Sequence, residues 1–184
     1  PFSEEMLVND LNEITHFYQQ NGFIHVTVRG IPFEPNDRKE KVKILVTVEE
    51  GTRVRVSNTT FSYANASHSA RLDSITRHLT HIKMTQGANF VESLFLKDVA
   101  LLENELLNSG FAFANVDYEL AVDAKQNTVV IHYHITPGPL CRFGDVSISG
   151  TEYSSKSLIT KQLAFDKGDL FSQRKIEKSQ QQIY

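Results

Sequence analysis

A chain of 184 residues, 40% hydrophobic and 22% charged, has an ordinary globular composition, with room for one large domain or two to three small ones. Its formal charge of −3 and its scattered 19 basic residues exclude the clustered cationic surface that nucleic acid requires, and a lone Cys141 excludes an internal disulfide. No stretch approaches the roughly 20 apolar residues of a membrane-spanning helix.

In chain order, the first element is a helix. Met6, Leu7, Leu11, Ile14 and Tyr18 recur at steps of three and four, which places them on one stripe. Gly22 stands where a left-handed residue would end that helix. A strand is predicted over about Phe23 to Arg29. In the next, Val42, Ile44, Val46 and Val48 alternate with Lys43, Leu45 and Thr47, as in a strand with one buried face, before Glu50-Gly51. A further strand runs from Arg53 to Phe61. Leu72, Ile75, Leu79 and Ile82 then form the stripe of a short helix.

The pattern starts again after this. Leu94, Phe95, Val99, Leu102 and Leu106 match the first helix position by position and lead to Gly110. Strands are predicted over Val116 to Val122 and Val129 to Ile135, and Asp123 to Asn127 is short enough for a hairpin. Pro137-Gly138-Pro139 takes the place of Glu50-Gly51. Leu140 to Ile148 takes that of the strand from Arg53 to Phe61. Leu158, Ile159 and Leu163 repeat the short helix, with Ser154 or Ser155 as its cap. Phe2, Phe90 and Phe171 thus open three copies of one helix at intervals of roughly 80–90 residues.

The repeating order is strand, helix, helix, strand, strand. Residues 53–136 make one complete unit. Residues 1–50 make the second half of a preceding unit, and 140–184 the first half of a following one. The chain opens on Pro1 and stops at Tyr184 inside a helical pattern, so it is expected to be a piece of a longer protein. A three-stranded sheet needs its apolar face covered, and two amphipathic helices do this. Each buried Leu or Phe contributes about 1.5–3 kcal/mol. The half units lack the partners to close their own cores and are expected to be poorly ordered or to borrow a neighbour's surface. Linkers as short as Glu50-Gly51 and Pro137-Gly138-Pro139 imply limited hinge motion.

Chemistry-bearing patterns are sparse. His132 and His134 share a strand face but have no third ligand nearby in sequence. His78 and His81 border a helix stripe and read as a half-exposed face. Glu4-Glu5 and Glu49-Glu50 are adjacent acids that point in different directions. A nucleophile elbow, a phosphate loop, a dinucleotide fingerprint and a zinc-protease helix are all missing. No catalytic, cofactor-binding or metal-ligating residue is therefore assigned, and an enzyme site would have to form between units.

Four segments carry a family likeness: Pro137-Gly138-Pro139, Arg142-Phe143-Gly144-Asp145-Val146-Ser147-Ile148-Ser149-Gly150, Lys167-Gly168-Asp169-Leu170-Phe171 and Ser109-Gly110-Phe111. The chain resembles the polypeptide-transport-associated (POTRA) domains of the outer-membrane assembly factor family, found in BamA- and TamA-type insertases and in two-partner secretion transporters. The central unit departs from that pattern. Ser57-Asn58 replaces the Gly-Asp pair of the first strand, and Gly87-Ala88 replaces the pair before the second helix.

The resemblance implies an α+β fold of tandem β-α-α-β-β POTRA modules, each a three-stranded mixed sheet covered by two helices. It also implies a place on the periplasmic face of the bacterial outer membrane, attached to a barrel beyond residue 184. Its partners would be unfolded outer-membrane proteins or secreted polypeptides and periplasmic accessory subunits, with no cofactor. The partner-binding element is expected at the sheet margin over Asn115, Val116, Asp117, Tyr118, Glu119, Leu120, Ala121 and Val122, where unpaired N–H and C=O groups can accept an added strand. The other reading of that margin is a solvated edge, or one covered by the adjacent unit. The alternative class is a structural, adhesive or division-type membrane protein built from similar modules.

Overall fold

In the computed structural model, residues 3–33, 43–64, 67–79, 81–150 and 156–183 are described. Phe2, Val42, Ser154, Ser155 and Tyr184 lie outside the described residues, as does the side chain of His78. The fold consists of two units. One holds Pro1–Thr60, Lys83–Leu96 and Leu120–Ile131; the other holds Phe61–Ile82, Lys97–Glu119 and His132–Tyr184.

In the first unit, helix α1 (Glu4–Gln20) opens with Glu4 and Glu5 at the positive end of its dipole. It ends as its sequence predicts. The N–H of Phe23 donates to Tyr18 O at 3.0 Å and that of Gly22 to Gln19 O at 2.9 Å, with Gly22 at φ +89°. These are the paired bonds of a Schellman close, and the Tyr18 and Phe23 rings supply its apolar contact at 5.7 Å. Strand β1 (Thr27–Phe33) pairs antiparallel with β2 (Lys43–Glu49), in register from Thr27 opposite Glu49 to Phe33 opposite Lys43. The predicted strand from Phe23 to Arg29 is thus displaced. The chain first needs Phe23 to close the helix and a tight turn that brings Val26 N–H to Phe23 O at 3.2 Å.

Helix α1 crosses β1 where Gly30 allows Leu11 Cδ1 to within 2.9 Å of the site a Cβ would occupy. It buries no residue fully. Ile44, Leu45 and Val46 of β2 are exposed as well, so this hairpin and helix leave apolar surface open.

Strand β3 (Arg55–Tyr63), helix α2 (Ser69–His78), helix α3 (Glu92–Asn108) and the hairpin β4 (Asn115–Asp123) and β5 (Thr128–Thr136) follow. The sheet order is β3-β5-β4. Arg55 N–H donates to Asn127 O at 2.9 Å and Ala64 N–H to Ile135 O at 3.0 Å. The two numbers rise together, so β3 runs parallel to β5, while the β4–β5 hairpin is antiparallel; the sheet is mixed. Between those two bonds β3 advances one residue more than β5. That is the signature of a β-bulge. Val54 and Val56 are buried before it, whereas after it Phe61 stacks on Tyr133 at 5.2 Å. Asn58, whose Oδ1 accepts the Thr59 N–H at 2.9 Å, lies inside that interval.

Burial along β5 alternates without a break: Val129, Ile131, Tyr133 and Ile135 are each at most 1% exposed. Phe95, Leu102 and Leu106 of α3 are buried to the same degree, and Asp98 shares their stripe at 3%. Helix α2 meets the sheet where Tyr63 Oη donates to Asp73 Oδ1 at 2.7 Å. It stops at His78, short of the predicted Leu79 and Ile82. Thr76 Oγ1 bonds back to Leu72 O at 3.1 Å, and the backbone leaves the helix at Leu79, with ψ of 75°.

Helix α4 (Lys156–Lys161) and helix α5 (Gln173–Ile183) complete the second unit. No strand forms over Leu140 to Ile148 among the described residues; a single bridge joins Arg142 to Leu170. In β3 the ladder is supplied by β5. Beyond the bridge from Arg142 to Leu170, Phe143 N–H donates to Asp169 O at 2.9 Å and Gly168 N–H to Phe143 O at 2.8 Å.

Candidate functional site

Strand β4 occupies the margin of the three-stranded sheet, with β5 on one side. Its Val116 is buried and Leu120 half-buried, which fixes one face toward the core. Tyr118 and Val122 belong to that same face yet stay 45% and 51% exposed. Asn115, Asp117, Glu119 and Ala121 alternate onto the opposite, exposed face. Asn115 Nδ2 donates to Asp117 Oδ2 at 2.8 Å. At the hairpin, Asp123 Oδ1 accepts the N–H groups of Lys125 (2.9 Å) and Gln126 (3.1 Å), and Asn127 takes φ of 51°. This pins the register of the strand's far end.

All eight sequence-predicted residues lie on this one strand, and the structure adds a neighbour that the sequence reading passed over. Phe113, two residues before β4, is 71% exposed, and its Cβ sits against Gly138. An aromatic residue in a loop carries no periodic signal, so pattern reading has no purchase on it.

Concave regions occur elsewhere among the described residues. A groove of about 510 Å³ runs between α2 and α3 and is lined in part by Arg71, Ile75, His81, Leu101 and Glu105. Its charged groups serve structural bonds: Arg71 Nη2 donates to Ser109 O at 2.8 Å, and Glu105 pairs with Arg174 at 3.8 Å. A second cavity of about 430 Å³ is walled by Phe143, Phe165 and Phe171, with Phe143 stacked on Phe165 at 3.8 Å. On β5, His134 Nδ1 and Ser62 Oγ share a hydrogen bond at 2.6 Å. No group of three or more His, Cys, Asp or Glu gathers to hold a metal among the described residues, and no described helix is long and apolar enough to cross a membrane.

The joints between repeats are copies of each other. Val54 N–H donates to Gly22 O at 2.8 Å, and Cys141 N–H donates to Gly110 O at 2.8 Å. Phe90 N–H donates to Val54 O at 2.9 Å, and Phe171 N–H to Cys141 O at 3.0 Å. Gly51 (φ +73°) lies against His25, as Gly138 (φ +65°) lies against Phe113. The segment that follows each joint is thereby seated on the glycine that ends the previous long helix.

A mixed sheet and repeated glycine joints define a tandem-repeat α+β protein. Residues 1–51, 55–138 and 141–184 each match the POTRA family model, described as surface antigen variable number repeat, and the chain belongs to that family. It is similar to the outer membrane protein assembly factor BamA of Neisseria meningitidis serogroup B, 21% identical over 183 residues, which is 99% of this chain and 22% of that protein. It is also similar to BamA of Neorickettsia risticii, 22% identical over 182 residues, covering 99% of this chain and 24% of the relative. The chain therefore spans less than a quarter of either relative. Its fold resembles the crystal structure of Haemophilus influenzae BamA POTRA3-5, with a TM-score of 0.60 at 18% identity, over 100% of this chain and 70% of that one.

Proposed function

We propose that this chain is a polypeptide-binding and scaffold region at the periplasmic face of a bacterial outer membrane, within a machine that assembles or translocates outer-membrane proteins. It is not an enzyme. It receives unfolded clients and docks accessory subunits by strand addition along residues 115–122. Within it, 53–136 act as a complete module between a half module at 1–50 and another at 140–184. Its longer protein carries a membrane barrel after this region.

The observation that carries the reading is the place of β4, at the sheet margin with side chains exposed on both faces. Family membership and the likeness to BamA proteins support the cellular setting. Main-chain pairing reads little sequence, which suits a receptor for many clients.

The test is site-specific photo-cross-linking in the full-length protein in cells. Probes at Tyr118 and Glu119 should capture unfolded outer-membrane proteins, whereas a probe at exposed Lys97 on α3 should not. Client adducts that ignore β4 would remove the reading.

A further inference from the structure

Resting on the strand-addition reading, we propose that the β4 edge selects by charge and takes an unfolded barrel strand that alternates apolar with basic residues. Backbone pairing alone would accept any extended chain. Discrimination must then come from the side chains that flank the new strand, because a directly opposed residue stands about 4.5–5.5 Å away.

On the core-side face an incoming strand meets Tyr118 and Val122, both exposed apolar groups next to buried Val116. On the other face it meets Asp117 and Glu119, with Asp123 at the hairpin end. The strand itself, Asn115–Asp123, contains no Lys or Arg. One oxygen of Asp117 is engaged by Asn115 and Asp123 Oδ1 is engaged by its turn, but both carboxylates remain at the surface. The edge is therefore apolar on one side and acidic on the other.

Two consequences follow from like and unlike charge. A second copy of this strand brings acid against acid and is repelled, which keeps the open edge from pairing with its own kind. A strand with Lys or Arg at every second position is attracted. Barrel strands supply the alternation because one face is built for lipid and the other for a polar lumen, at a length of about 9–11 residues. The nine residues of β4 match that length.

The experiment uses the 184-residue chain and two synthetic nine-residue peptides, one alternating valine with lysine and the other valine with glutamate. Affinity and amide hydrogen exchange are read together. The lysine peptide should bind at least about fivefold more tightly and slow exchange across β4. The gap should close in about 0.5 M salt. The D117K/E119K double variant should reverse the order of the peptides. Equal binding and equal protection of β4 by both peptides would overturn charge selection while leaving strand addition intact. If neither peptide protects β4, both the selection and the strand-addition reading fall.

Discussion

The amide of Cys141 donates to the carbonyl of Gly110 at 2.8 Å, repeating the bond that Val54 makes to Gly22. The helix-ending glycine is thus also the seat of the next repeat. Its conformation has two jobs: at φ +102° it closes the helix, and it leaves a hollow in which Leu140 and Leu170 approach. A Cβ on Gly110 would lie 2.8 Å from Leu140 Cδ1, the end of a side chain that can turn aside. A Cβ on Gly22 would lie 2.5 Å from the Phe90 carbonyl oxygen, which belongs to the backbone and cannot.

A ranking of glycine substitutions follows from this. Gly87 has φ +86° with open space around it, so Gly87→Ala bears left-handed strain alone, about 1 kcal/mol. Gly110→Ala should cost more, and Gly22→Ala the most. Thermal unfolding of the three variants measures the order, at roughly 2–8 °C per kcal/mol for domains of this size range. A Gly22→Ala variant as stable as Gly87→Ala would show that the joint is not seated as described.

Arg53 distinguishes the two joints. Its Nε donates to Asn21 O at 2.7 Å and its guanidinium lies 5.4 Å from the centre of the Phe23 ring, while the corresponding residue of the second joint is Leu140. Arg53→Ala should loosen the first joint alone, by about 1–2 kcal/mol from the lost hydrogen bond and cation–π contact. Hydrogen exchange at the Val54 amide should accelerate while that at Cys141 is unchanged. Equal acceleration at both would indicate general destabilisation rather than a local clamp.

How much was legible in the sequence can be seen from particular residues. Helix α3 and strand β5 were readable because their apolar residues fall into one periodicity from end to end, and each packs a continuous face. Strand β1 was misplaced because Gly22-Phe23 belongs to the helix close, and apolar Phe23 and Ile24 look like strand residues to a period-two reading. The bulge in β3 was invisible, although Ser57-Asn58, where the third repeat has Gly144-Asp145, was already the point of departure from the family pattern. Asp98 was missed because an acid on a buried stripe contradicts the apolar rule that defines the stripe. The edge position of β4 is a matter of strand order, which pairing decides and hydrophobic pattern does not encode.

Tyr133 gives the fold a sensitivity to alkali. It sits at 0% exposure between β3 and the helices, and burial, reinforced by the nearby Asp98 carboxylate, pushes its phenol well above the ordinary tyrosine range. Tyr63 is raised as well, chiefly by burial. An unfolded tyrosine ionises near pH 10. A folded phenol that resists ionisation contributes stability that is complete below that pH and is lost as the pH climbs toward the folded value. The urea midpoint should therefore hold from about pH 7 to about pH 9 and fall between about pH 10 and about pH 11.5. Tyr133→Phe removes the largest of these shifts, so its midpoint should fall by less over the upper interval, with Tyr63 accounting for part of what remains. An unchanged alkaline slope in Tyr133→Phe would mean that the phenol reaches water more easily than its packing against Phe61 indicates.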